Sequence, residues 1–297
     1  MHHDDPLPLQ AYRAAIDLDR PFVPAGRPVP PDQLAGLAET ALELLHPQGA
    51  AGPAQARQAL RAALTRRHPV PMRPEVLMLL DSLLGGERAL RPTIAPETLP
   101  LVAEDHPGSG YPAAKQVSTW RGDITTLRAD AIVNAANDTL LGCFRPHHPC
   151  VDNAIHAAAG PRLRADCHTI MTEQRFPEPT GTAKITRGYH LPARFVLHTV
   201  GPIVRGPLRP QHEQALAASY RACLDLAAQV PQIRTIAFCA ISTGVFGFPP
   251  APAARIALTT VADWLDEHPA RFDRVILVSF DAAAEALHHE LLATWTR

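Results

Sequence analysis

Within eight residues the chain places Cys143, His148 and Cys150, in the run GCFRPHHPC. Two thiolates and an imidazole on one short loop make a three-ligand set for zinc. They leave a fourth position open, which separates catalytic sites from closed structural ones. Pro146 and Pro149 stiffen the loop, and His147 competes with His148 as the nitrogen ligand. The spacing C-x4-H-x-C is not a common structural zinc pattern, and the two cysteines read equally as small buried hydrophobes. Cys167 and His168 are further candidates, although neighbours on a helix point in different directions.

Other residues with chemical potential flank this loop. Asn134 and Asn137 bracket two alanines at the end of the strand-like run AIVNAAN. An amide can read sugar hydroxyls as both donor and acceptor, and turn chemistry is the plainer alternative. Asp152 opens the helix-like run VDNAIHAAAG, where it caps the helix, activates a water, or does both. His156 follows one turn later on the same helical face, where a packed side chain is the ordinary reading. The run Ser242-Thr243-Gly244-Val245-Phe246-Gly247 lies between the strand-like TIAFCA and a helix starting near Pro250. Its glycines and hydroxyls suit an anion held by backbone N–H groups, or a simple strand-to-helix turn. Asp123, in WRGDI, accepts from an exocyclic amine such as that of adenine, or caps its own turn.

These residues need a scaffold, and the chain has two textures. Residues 1 to about 115 are rich in Pro, Ala, Leu and Arg. Helices are predicted over Leu34–Leu45, Ala54–Thr65 and Pro74–Leu84, the last stopped by Gly85-Gly86, followed by an irregular Pro-rich connector from Arg91 to Pro112. From Val117 onward, apolar runs at Asp130–Asn134, Thr182–Thr186, Phe195–Val200, Thr235–Ala240 and Val275–Phe280 interleave with helical stretches. Those stretches are Asn153–Met171, His212–Gln229, Pro252–Glu267 and Ala282–Trp295. The alternation predicts an α/β sandwich with helices on both sheet faces and a ligand site at the carboxyl ends of the strands.

Composition narrows the function classes. With 28 Lys plus Arg against 29 Asp plus Glu, the formal charge of -1 supplies no basic field for non-specific nucleic-acid binding. Cys167, Cys223 and Cys239 fall inside predicted helices and a strand, so the five cysteines do not read as a disulfide framework and a reducing cytoplasm is expected. The start MHHDDPLPLQ lacks a signal-peptide pattern, and no run of eighteen apolar residues predicts a membrane span.

Taken together, Gly122-Asp123-Ile124-Thr125, Asn134-Ala135-Ala136-Asn137, Val151-Asp152-Asn153-Ala154-Ile155-His156, His198-Thr199-Val200-Gly201-Pro202 and Ser242-Thr243-Gly244-Val245-Phe246-Gly247 resemble the ordered motifs of macrodomains. The insertion Gly142–Cys150 resembles the zinc-containing subfamily of microbial protein-ADP-ribose hydrolases, some of which are linked to sirtuin-like transferases. The resemblance covers residues 117 to 297 closely and the helical leader loosely. It implies a three-layer α/β/α macrodomain with a mixed central sheet over residues 116–297, preceded by a small helical region over residues 1–115. Asp123 and Ile124 would hold adenine, and Asn137 the distal ribose. Ser242, Thr243, Gly244, Val245 and Phe246 would wrap the diphosphate. Cys143, His148 and Cys150 would bind Zn2+, with Cys150, Val151 and Asp152 also touching the ligand. Asp152 and Asn137 would serve catalysis. The implied activity is hydrolysis of mono-ADP-ribose from protein side chains, Asp and Glu esters first. The competing readings are a non-catalytic ADP-ribose reader, a hydrolase of O-acetyl-ADP-ribose, and a zinc that merely pins its loop.

Overall fold

A computed structural model of the chain describes residues 5–46 and 52–295; residues 1–4, 47–51 and 296–297 of the two predicted regions lie outside it. The first region contributes α1 (Leu9–Tyr12), α2 (Leu34–Leu45), α3 (Pro53–Arg66), α4 (Pro74–Leu90) and the short α5 (Val102–Asp105). There follow β1 (Val117–Arg121), β2 (Ala131–Ala135), α6 (Val151–Ala159), α7 (Pro161–Gln174), β3 (Ala183–Arg187) and β4 (Phe195–Thr199). The chain then runs through α8 (Pro210–Ala228), β5 (Thr235–Phe238), α9 (Pro250–Glu267), β6 (Arg274–Ser279) and α10 (Ala282–Ala293).

The six strands form one mixed sheet in the order β1-β6-β5-β2-β4-β3, parallel except for β3 against β4. Helices flank it, as expected for the three-layer fold. Ile132, Val133, Val196, Leu197, Ile236 and Ile276 are fully buried in its middle, the near-continuous apolar runs of strands covered on both faces. Because five strands run parallel, the segments after β1, β2, β4, β5 and β6 all emerge at one edge. Asp123, Asn137, Cys143 and Ser242 are carried there together.

Three expectations need correction. The predicted stop at Gly85-Gly86 is absent, and α4 continues to Leu90. A Cβ on Gly86 would lie 2.6 Å from the Val29 carbonyl oxygen and 2.8 Å from Leu34, so the glycine serves close packing rather than termination. The single helix predicted over Asn153–Met171 is two: Gly160 turns to φ +89° and Pro161 starts α7. The Arg91–Pro112 stretch, read as irregular, carries α5 and a parallel bridge from Ile94 to Leu127. In addition, β1 was not among the predicted runs, because VSTWR offers too few consecutive apolar residues.

α2, α3 and α4 bury a small core of their own around Ala41, Leu60, Val76, Leu80 and Leu83. By contrast, Leu9, Tyr12, Ile16 and Leu18 join the large core of the sheet, and the Ile185 N–H of edge strand β3 donates to the Tyr12 hydroxyl at 3.0 Å. Asp81 of α4, 1% exposed, ties the two bodies together. It accepts from Arg162 and from His190 Nε2 through Oδ1, and from the Ala25 N–H through Oδ2 at 2.8 Å. Burial alone would raise the Asp81 pKa, but His190, the Ala25 N–H and Arg162 outweigh it and hold it below the usual carboxylate range. Its stabilisation is therefore complete above the unfolded value of about 3.9 and is lost as pH falls through the lower folded value. Asp81→Ala leaves Arg162 half-stranded and should cost about 3 kcal/mol in urea denaturation at neutral pH. Wild type and variant should converge in acid.

Candidate active site

The loop after β2 is shaped by its own side chains. Asn137 Oδ1 accepts from the Thr139 N–H and hydroxyl, and Asn137 Nδ2 donates to the Gly142 carbonyl at 3.1 Å. The amide expected to meet a ribose is thus engaged in turn chemistry. Beyond it, the ligand atoms of Cys143, His148 and Cys150 converge to within 4.8 Å of one another, with Cys143 Sγ 3.7 Å from His148 Nδ1. His147 is exposed, takes φ +61° and stays outside the cluster, which resolves the competition between the two histidines. Cys167 faces the interior instead, and His168 is exposed, so neither joins the set. Two soft sulfurs and an imidazole nitrogen at these separations suit a tetrahedral Zn2+ with one open position. Burial raises the Cys150 thiol pKa and Cys143 beside it adds to the shift, the direction a bound cation would reverse.

The loop is anchored from behind. Asn153 Nδ2 donates to the carbonyls of Arg145 and His148 at 3.2 and 3.1 Å. Arg164 of α7 donates to the Leu141 carbonyl at 2.7 Å while its other nitrogen holds the Leu64 and Arg67 carbonyls of the helical region. Its guanidinium also lies over the Phe144 ring at 4.6 Å. Gly142 takes φ +81°, and a Cβ there would come within 2.9 Å of the His156 ring. Gly142→Ala should therefore lower stability by roughly 1–3 kcal/mol and loosen the loop. The check is thermal denaturation together with the stoichiometry of added zinc.

Cys150, not Asp152, is the N-cap of α6: its sulfur accepts the Asn153 N–H at 3.4 Å. Asp152 sits in the first turn, 5% exposed, and Asn134 Nδ2 donates to its Oδ1 at 2.7 Å. Burial pushes the Asp152 pKa up to about 6, against the Asn134 hydrogen bond and the Arg164 charge. Asn134 is in turn 3.2 Å from His198 Nδ1, whose Nε2 meets the Thr186 hydroxyl at 2.9 Å. Burial keeps His198 neutral, its pKa down to about 3, and holds His156 well below its ordinary value. His156 Nε2 lies 3.5 Å from Asp152 Oδ1. The carboxylate is thus a buried group poised near neutrality, suited to accept a proton.

The loop after β5 adds an anion cradle. Ser242 takes φ +65° and Gly247 φ +70°. Among the described residues, the amides of Gly244, Val245 and Phe246 have no backbone acceptor, and the buried Ser242 hydroxyl has no partner. Consecutive free N–H groups in a turn are what a diphosphate requires. Asp123 accepts from the Thr125 N–H at 2.9 Å, so its turn role is real. Its other oxygen accepts from Arg91 Nη2 at 2.8 Å, a contact that no local pattern could announce. Ile124 is buried beside it.

The chain has relatives among known proteins. A family model described as Macro domain matches residues 133–257. The chain is 51% identical over 174 residues to a protein-ADP-ribose hydrolase of Treponema medium, a stretch covering 59% of this chain and 66% of that protein, just under two thirds. It is 42% identical over 202 residues to a protein-ADP-ribose hydrolase of Staphylococcus aureus, covering 68% of this chain and 71% of that one. The Trypanosoma brucei macrodomain in complex with ADP-ribose superposes with a TM-score of 0.59 and 31% identity, covering 77% of this chain and 94% of that structure.

Proposed function

Since the chain belongs to the macrodomain family, we propose that it is a zinc-dependent hydrolase that removes mono-ADP-ribose from modified protein side chains. The observation that carries the reading is the buried Asp152 carboxylate, two residues beyond Cys150 of the converging Cys143, His148 and Cys150. A pure reader of ADP-ribose needs neither. The names of the Treponema and Staphylococcus relatives support hydrolysis of the ADP-ribosyl bond.

In this reading Asp123 and Ile124 hold the adenine, and the free amides of Gly244, Val245 and Phe246, with Ser242 and Thr243, hold the diphosphate. Asn137, Cys150 and Val151 border the distal ribose. Bound Zn2+ would supply Lewis acidity toward an oxygen of the substrate. Asp152, oriented by Asn134, takes a proton from the attacking water. The bond between the ribose and the side chain breaks, the water oxygen stays with one product, and the proton passes to the other. The products are ADP-ribose and an unmodified side chain, an Asp or Glu carboxyl where the linkage is an ester.

Free thiols at the site fit a reducing cytoplasm. Among the described residues no helix is long and apolar enough to cross a membrane. The zinc loop supports membership of the sirtuin-linked subfamily. The test is metal analysis of the purified protein together with turnover on defined Glu-, Ser- and Arg-linked ADP-ribosyl proteins and on O-acetyl-ADP-ribose. Rapid release from the Glu-linked protein by zinc-loaded enzyme is expected. Binding without release from any substrate would leave only a reader.

A further inference from the structure

Beside the metal loop, the turn between α3 and α4 and one side of α7 enclose a groove of about 370 Å³. Arg67, His68, Arg162, Arg164 and His168 line it, and no carboxylate does. The rest of its lining is uncharged and largely apolar, with Val70 54% exposed. The three guanidinium groups differ in how they are answered. Arg162 pairs with Asp81, and Arg164 spends its donors on the Leu64, Arg67 and Leu141 carbonyls. Arg67 reaches only the Pro71 carbonyl, at 3.4 Å, and its Nε is buried without a partner. A charged donor left without an acceptor is costly, and a carboxylate entering the groove is the partner this guanidinium lacks. The groove also shares a wall with the loop that carries the metal candidates. Phe144, next to Cys143, meets two groove residues: the His68 ring stacks on it at 5.0 Å, and the Arg164 guanidinium lies over it at 4.6 Å.

We propose that this groove docks an acidic segment of the protein that carries the ADP-ribose. Charge selects the sign of the partner: a lining with basic side chains and no carboxylate draws Asp and Glu and repels Lys and Arg. The apolar part of the lining selects a peptide over a nucleic acid, since a net charge of -1 supplies no field for a phosphate backbone. Position selects the part of the partner. Because Phe144 joins the groove to Cys143, a segment seated there runs up to the metal loop, where the modified side chain is to be released. The inference rests on the hydrolase reading above and adds to it the sequence that flanks the modified residue. It gives the turn between α3 and α4 a share in choosing which modified proteins are cleared.

The test uses the full, zinc-loaded chain in low salt. Two peptides each carry one Glu-linked ADP-ribose and differ only in their flanks, Asp and Glu in one, Asn and Gln in the other. Wild type should show a KM about tenfold lower for the acidic peptide at equal kcat, the yield of two or three partly exposed ion pairs. Arg67→Gln should shrink that ratio and Arg67→Glu should erase it. Affinity for free ADP-ribose should be the same in all three proteins, which places the effect outside the nucleotide cleft. Equal KM values of wild type for the two peptides overturn the proposal. Should neither peptide be cleaved, the hydrolase reading fails instead. Fluorescence anisotropy of the unmodified acidic peptide then decides the groove: binding that Arg67→Glu abolishes retains it, and no binding removes it. Displacement of that peptide by its neutral counterpart at equal concentration would also overturn the proposal, because charge would then play no part.

Discussion

Cys143→Ala is expected to lower release of ADP-ribose from a modified protein by roughly two orders of magnitude or more, while ADP-ribose itself still binds measurably. The reason is geometric. Cys143, His148 and Cys150 converge to within 4.8 Å, and removing one sulfur leaves two ligands, too few to hold a cation in an open site. The nucleotide contacts proposed for Asp123 and the Gly244–Phe246 amides lie on other loops and survive the change. Lewis-acid assistance is worth several kcal/mol, which sets the size of the loss. Three measurements on one preparation check it: zinc content, single-turnover rate and ADP-ribose affinity. Full turnover by a folded, zinc-free variant would show that the metal merely pins the loop.

Asp152→Asn should act differently. The replacement is isosteric, and its carbonyl oxygen can still accept from Asn134, so the start of α6 should keep its shape. What disappears is a proton acceptor whose pKa is lifted to about 6 by burial. Loss of a positioned general base costs about 10²–10⁴ in rate. That loss should fall on kcat, with KM little changed and zinc content unchanged. An unaltered kcat with a raised KM would reduce Asp152 to a ligand contact. The two variants thus separate metal loss from base loss, since only Cys143→Ala should alter metal content.

Much of this site was legible because its signals are local. AIVNAAN ends β2, and VDNAIH starts α6, as the patterns require. The metal candidates lie on a single loop, and the glycines between β5 and α9 mark a strand-to-helix turn. The rest depends on contacts that sequence spacing does not encode. Nothing near Asp123 foretells Arg91, thirty-two positions earlier, and nothing near Leu141 foretells Arg164. Asp152 was expected to serve as a cap in part, but Cys150 takes that place and frees the carboxylate to pair with Asn134. Gly85-Gly86 looked like a stop because glycine destabilises an isolated helix. Here the missing side chains admit Pro28, Val29 and Leu34, a tertiary gain that outweighs the local cost.

The hydroxyl of Tyr12 has a consequence for solubility. An unpaired rim of a sheet is a template on which a second molecule can zip, and natural proteins blunt such rims. By accepting the outward amide of Ile185, the aromatic ring and the ribbon that carries it occlude that rim. A chain shortened past this ribbon would bare it, and clumping of the truncated protein at high concentration would follow even where its chemistry stayed intact.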